Sequence, residues 1–180
     1  MSKYVQEGID YRDDLFYEYI KVLVWGPGDP GADAKAEKLA AYRKRIQIRD
    51  VLRTKFPRAE IYFSEDPEMI KIAEGFKGQL RKEALQAKFA DLVVMLDIGR
   101  GVDLELDYFV PTYPWFRDKV HVFLPEKYVR SDGLVNEIFK LLSKDQIEGF
   151  TQTDFSDCNV ATKMAVQAAL TCALMKKLRS

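Results

Sequence analysis

Histidine and cysteine are nearly missing from this chain: His121 is the one histidine, and Cys158 and Cys172 are the two cysteines. Zinc and related metals are held by clustered Cys and His, so this shortage argues against a transition-metal site, and no metal or other cofactor is expected. It also disfavours a Ser-His-Asp triad and is too little for a disulfide framework. Free thiols fit a reducing, cytoplasmic setting. Net charge is lacking as well. The 28 basic residues are balanced by 28 acidic ones, which removes the global signature of a nucleic-acid binder. No apolar run approaches the ~20 residues that a bilayer-spanning helix needs. The start MSKYVQEGIDYRDD is polar and acidic and does not read as a secretory leader, so no membrane partner is expected. There is no internal repeat, low-complexity tract or linker.

What remains is an ordinary globular composition, 47% hydrophobic and 31% charged over 180 residues, too apolar for a disordered chain. A domain of this size buries roughly 70% of its unfolded surface and needs no staples. The chain reads as a single domain, 1–180, with 1–19 an N-terminal extension and 20–180 an α/β core. Its charges are unevenly spread. Residues 35–58 hold nine basic residues against two acids, and residues 89–160 hold seven basic against thirteen acidic. The basic segment is either a solvated helix face or a surface turned toward phosphate or a partner.

Strands and helices alternate along the sequence. Residues 20–25 are β-branched and apolar and stop at Gly26-Pro27-Gly28, a strand ending in a turn. Residues 34–56 form a helix with Leu39, Tyr42, Ile46, Arg49, Leu52 and Phe56 on one side, ended by Pro57. Residues 59–63 are a short strand. Residues 67–87 form a helix carrying Met69, Ile70, Ala73, Phe76, Leu80 and Ala84 on one side, weakened by Gly75 and Gly78. Residues 91–97 are a continuous apolar run bounded by acids, as in a strand covered on both faces. A helix over 102–110 is stopped by Pro111, a strand covers 119–124, a helix 132–142, and a short strand 150–153. The Ala-rich helix 159–178 packs against the sheet or against a second subunit. His121 reads as a structural residue of its strand, and Cys158 and Cys172 as small core residues. The aromatic stretches 11–19 and 113–116 are core or subunit contacts.

This alternation predicts an α/β three-layer sandwich around a doubly wound, mostly parallel five-stranded sheet, flavodoxin-like or Rossmann-like. Such sheets bind ligands beyond the carboxyl ends of the strands, where the strand order reverses. That singles out residues 26–33 and 97–105. The first loop, with Gly26, Pro27 and Gly28, lacks the Lys-Ser/Thr pair of a P-loop and is not GxGxxG, so it reads as a phosphate cradle or as a sharp turn. The second runs through Gly99, Arg100 and Gly101. It is part of a stretch with four acids, Asp97, Asp103, Glu105 and Asp107, within eleven residues. Asp103 and Glu105 have routine explanations at a helix N-terminus, and a second one as site carboxylates.

The order of these pieces resembles the nucleoside 2-deoxyribosyltransferase-like superfamily. The resemblance rests on Ala90-Asp91 and the apolar strand ending in Asp97, the glycine turn, then Glu105-Leu106-Asp107-Tyr108-Phe109, and Asn159 opening the last helix. It covers roughly residues 20–170. Asp107 stands where the family has a glycine, and Arg100 to Leu104 replace its Asp-x-Gly-Thr. The resemblance implies N-glycosidic bond cleavage or base transfer on a nucleoside or nucleotide, with Glu105 the nucleophile, and sites that neighbouring subunits of a homo-oligomer often complete. It sets Asn159 at the substrate. Asp97 and Asp103 are candidates for hydrogen bonds to sugar or base, and Tyr108 either orients the glutamate or packs in the core. A carboxylate beneath C1′ stabilises or traps the oxocarbenium-like charge. Trp25 stacks on a base or packs in the core, and Arg43, Arg45 or Arg100 receives a 5′-phosphate. The alternatives are a non-catalytic nucleotide-binding sensor and a TIR-like domain, of the kind that cleaves NAD or serves in protein interaction.

Overall fold

A computed structural model describes residues 14–31, 35–96, 100–125, 140–143, 146–150 and 159–179, with residues 37, 100–105, 124–125, 148–150, 159 and 160 described by their backbone. The elements are β1 (Lys21–Trp25), α1 (Ala36–Lys55), β2 (Glu60–Tyr62), α2 (Pro67–Ile72), α3 (Gln79–Phe89), β3 (Leu92–Leu96), α4 (Arg100–Thr112), α5 (Pro114–Arg117), β4 (Val120–Pro125), β5 (Ile147–Phe150) and α6 (Asn159–Lys177). All strand pairings are parallel. β1 lies between β2 and β3, β4 pairs with β3, and β5 extends the sheet beyond β4, giving the order β2-β1-β3-β4-β5.

The central strands are apolar throughout because both faces are covered. Successive side chains of β1 and β3 go to opposite sides. Val22, Val24, Leu92, Val94 and Leu96 enter one core with Ile48 and Leu52 of α1, Phe56 just after it, and the alanines of α6. Leu23, Trp25, Val93 and Met95 enter the other with Ala87 of α3, Leu106, Phe109 and Val110 of α4, and Phe116 of α5. Ala161, Ala165, Ala168, Ala169 and Ala173 let α6 lie close against α1 and the sheet. Within the stretch read as an extension, Leu15 is buried in the first core and the Phe16 ring packs on Phe56 at 5.1 Å. Asp14 and Glu18 both approach Lys177, each at 3.7 Å.

Several elements differ from the sequence expectation. The helix expected over 67–87 is two helices. Gly75 (φ +82°) and Gly78 (φ +90°) adopt left-handed backbone between them, a conformation that ends helices and that glycine enters without a Cβ penalty. The expected apolar side is therefore split: Met69 and Ala73 are buried, whereas Ile70, Phe76 and Leu80 are exposed. α3 buries Gln86 instead, whose amide donates to the carbonyls of Ser64 (2.9 Å) and Met69 (3.1 Å). The helix expected to stop at Pro111 runs to Thr112, since a proline this near the end removes little of the ladder. α1 is rotated from its expected stripe. It buries Ala41, Lys44, Arg45, Ile48 and Leu52, and Phe56 is buried at its C-cap. β5 begins three residues before the strand expected at 150. Residues 132–139 of another expected helix lie outside the described residues, and residues 140–142 form a turn and bend.

The amino edge of the sheet is pinned by ions. Asp91 Oδ2 accepts from the Lys21 backbone N–H (2.9 Å) and from Lys176 (2.8 Å). Lys119 Nζ donates to the carbonyls of Ala87 (3.2 Å) and Ala90 (2.6 Å), closing the C-terminus of α3 without a glycine. Cys172 lies nearby. Burial first, then the Asp91 charge, push its thiol up to about 11. Against an unfolded cysteine near 8.5, that leaves roughly 300-fold less thiolate at neutral pH. Iodoacetamide at pH 7.5 should therefore modify Cys172 far more slowly in the native protein than in urea, as read by peptide mass mapping. Equal rates would contradict the burial. Among the described residues no helix is long and apolar enough to cross a membrane.

Candidate functional site

The strand order reverses at β1. The chain passes from β1 outward to β2, then returns over β1 to β3. The crevice at this reversal lies between the carboxyl ends of β1 and β3, where parallel α/β sheets take their ligands. Gly26 and Pro27 leave β1 there, and α4 begins at Arg100, four residues after β3 ends at Leu96. α6 contributes from the other side of the sheet. Its C-terminal Lys176 reaches Asp91 at the amino edge, so its first residue, Asn159, lies ~25 Å along the axis toward the carboxyl edge. The Gly26 turn, the start of α4 and the start of α6 thus converge on one edge of the sheet.

Gly26 passes through a narrow gap. A Cβ there would meet Leu96 Cβ at 3.2 Å and Arg45 Cδ at 3.4 Å. Gly26→Ala should cost about 1–2 kcal/mol through overpacking, measured by urea denaturation. A neutral result would contradict the close approach of Leu96 and Arg45 to Gly26.

Arg45 forms the other wall. Its Nε–H donates to the Val24 carbonyl at 3.0 Å, and Nη1 reaches the Pro27 carbonyl at 3.4 Å. Both terminal nitrogens engage the Glu65 carboxylate, at 2.7 and 2.8 Å. Its guanidinium also stacks on Phe63 at 4.0 Å, next to that of Arg49 at 3.9 Å. The Arg45 side chain is 1% exposed and that of Glu65 50%. Burial raises the Glu65 carboxyl, but the hydrogen bonds and charge of Arg45 outweigh it and hold the group below its ordinary range.

These contacts correct the reading of the basic segment. Its residues are neither all solvated nor all turned to a phosphate. Lys44 and Arg45 are buried, and Arg53 donates to the Ile61 carbonyl at 3.0 Å. Arg45 is committed to Glu65 and two carbonyls, so it is not a phosphate receiver, whereas Arg43 is exposed. Sequence reasoning missed the Arg45–Glu65 pair. The available signal was the spacing of Arg45 with Ala41, Ile48 and Leu52, which places it in an apolar stripe.

Trp25 is core, and the base-stacking role is corrected. As the strand alternates, its ring enters the second core beside Phe109 (5.5 Å) and Phe116 (5.8 Å). Tyr108 is 40% exposed and sits edge-on to Phe109 and Tyr113. A hydrogen bond with Tyr108 raises the Tyr113 phenol above its ordinary value. Gly28 is exposed, with open space where a Cβ would stand. Asp97 and Gly99 lie outside the described residues. Arg100, Gly101, Asp103 and Glu105 occupy the first turns of α4, with Tyr108 one turn beyond Glu105. His121 pairs with Val94 across the sheet and is half-buried.

No protein-family model matches the chain, and no curated protein matches it in sequence.

Proposed function

We propose that this chain is a flavodoxin-like, nucleoside 2-deoxyribosyltransferase-like enzyme that breaks or exchanges the N-glycosidic bond of a nucleoside or nucleotide, with Glu105 as its nucleophile. One observation carries the reading. The topology brings the Gly26 turn, the start of α4 and the start of α6 to the carboxyl edge of the sheet. Two of these three segments, at α4 and α6, hold the motifs that resemble the superfamily.

The chemistry needs few groups. Loss of the base leaves positive charge on C1′ and its ring oxygen, and a carboxylate placed beneath C1′ stabilises that charge or bonds to the carbon. Glu105 fills this role. Asp97 and Asp103 hydrogen-bond sugar hydroxyls or the leaving base, and Asn159 contacts the substrate from α6. Arg100 binds a 5′-phosphate where the substrate is a nucleotide. Water then resolves the intermediate in hydrolysis, and a second base resolves it in transfer.

The test is incubation of the wild type and Glu105→Gln with deoxynucleosides, ribonucleosides, their monophosphates and NAD, with and without an acceptor base. Chromatography follows the free base. Release by the wild type alone supports the reading. Binding without release by either protein overturns it in favour of a nucleotide sensor, and nicotinamide release from NAD alone favours a TIR-like activity.

A further inference from the structure

We propose that Arg45 is a positioning residue for the ligand-facing turn at residues 26–28, with Glu65 as its partner. This rests on the reading above that ligand enters at the carboxyl edge. The guanidinium meets three segments at once: the end of β1 through Val24, the turn through Pro27, and the β2–α2 loop through Glu65. The turn is threaded between Arg45 and Leu96 at Gly26, where even a methyl group is crowded. Pro27 has no N–H, so its carbonyl is the backbone hydrogen-bonding group by which that residue can be held, and Arg45 is at that carbonyl. Gly31 closes the far end of the loop on Asp29 at 2.9 Å, a bond local to the loop. The path of the turn over the crevice is thus set from beneath by Arg45. The direction of Arg45 is set in turn by the bidentate carboxylate of Glu65 at the rim. Lysine cannot replace it, because a single ammonium on a flexible stem lacks the planar fork that spans carbonyls and carboxylate together. Arg45 touches no substrate in this account. It acts on affinity through the turn, whereas Glu105 acts on the chemical step.

The test compares Glu65→Gln and Arg45→Lys with Lys119→Met, which removes a cation from the opposite edge of the sheet. The first readout is the amide nitrogen and proton shifts of Gly26, Gly28 and Gly31 in protein without ligand. The second is KM and kcat on the panel member that the wild type turns over fastest. Glu65→Gln and Arg45→Lys should move the three glycine amides and raise KM about tenfold with kcat within about twofold, while Lys119→Met changes neither. Unmoved amides overturn the clamp. Moved amides with an unchanged KM overturn its role toward ligand. An equal rise in KM for Lys119→Met means general loosening and overturns it too. A wild type that turns over no panel member defeats the glycosidic reading separately, and the ligand-free amide shifts still decide the clamp.

Discussion

Glu65→Ala is expected to cost this protein more stability than Arg45→Met, although Glu65 is the more exposed partner. The reason is where each variant leaves a charge. Without Glu65, a guanidinium whose side chain is 1% exposed keeps two carbonyls and the Phe63 ring but no counter-ion. Breaking a buried pair in this way costs about 3–5 kcal/mol, and the lower end, about 3 kcal/mol, applies because water can take the place of a half-exposed carboxylate. Without Arg45, methionine refills the apolar stem space and Glu65 turns to solvent. The loss is then about 1–2 kcal/mol from hydrogen bonds and packing. Urea denaturation of both variants measures the difference, and an Arg45→Met protein less stable than Glu65→Ala would contradict this ordering. A pH dependence follows with a definite sign. The Glu65 carboxyl is held below its ordinary value in the folded protein. Its contribution is therefore present above about pH 4.3, the unfolded value, and is lost as pH falls through the lower folded one. Stability of the wild type should fall more steeply below pH ~4.3 than that of Glu65→Gln.

Glu105→Gln is expected to abolish base release while leaving substrate binding nearly intact. Glutamine keeps the shape and hydrogen-bonding capacity of glutamate but neither stabilises a cation at C1′ by charge nor forms a glycosyl ester. Loss of a group acting in the transition state lowers kcat, and the expected fall is about 10³-fold or more with Kd within about threefold. Calorimetric titration of the variant with the active panel member, beside its rate, separates the two. A variant that loses binding and turnover together would assign Glu105 to the ground state rather than to the chemistry.

The legible part of the fold was the part that apolar continuity controls. β1 and β3 read correctly because burial on both faces leaves no polar position in Val22–Trp25 or Leu92–Leu96. Given strands that alternate with helices, parallel pairing followed, and with it the edge at which sheets of this kind take ligands. Helix faces were less legible. The basic segment read as a solvated face or as a surface turned to phosphate or a partner, whereas Lys44 and Arg45 are both buried, and Arg45 lies at the turn after β1, where a partner 20 residues on pairs with it. No local pattern shows a counter-ion that far away. The break at Gly75 and Gly78 was visible as weakness but not as two left-handed residues, which turned Ile70, Phe76 and Leu80 outward. Trp25 at a strand end was ambiguous between ligand and core. Strand parity decides it, because Trp25 shares the side of Leu23 and so meets Phe109 and Phe116. The role of Glu105 came from resemblance of a short motif, and its place on α4 directly after β3 is what the topology adds.

The most direct measurement is the initial rate of free-base release by the wild type and Glu105→Gln, side by side, across nucleosides, nucleotides and NAD. The account predicts release from at least one nucleoside or nucleotide by the wild type and none above background by the variant. Equal release by both proteins, or none by either, would contradict it.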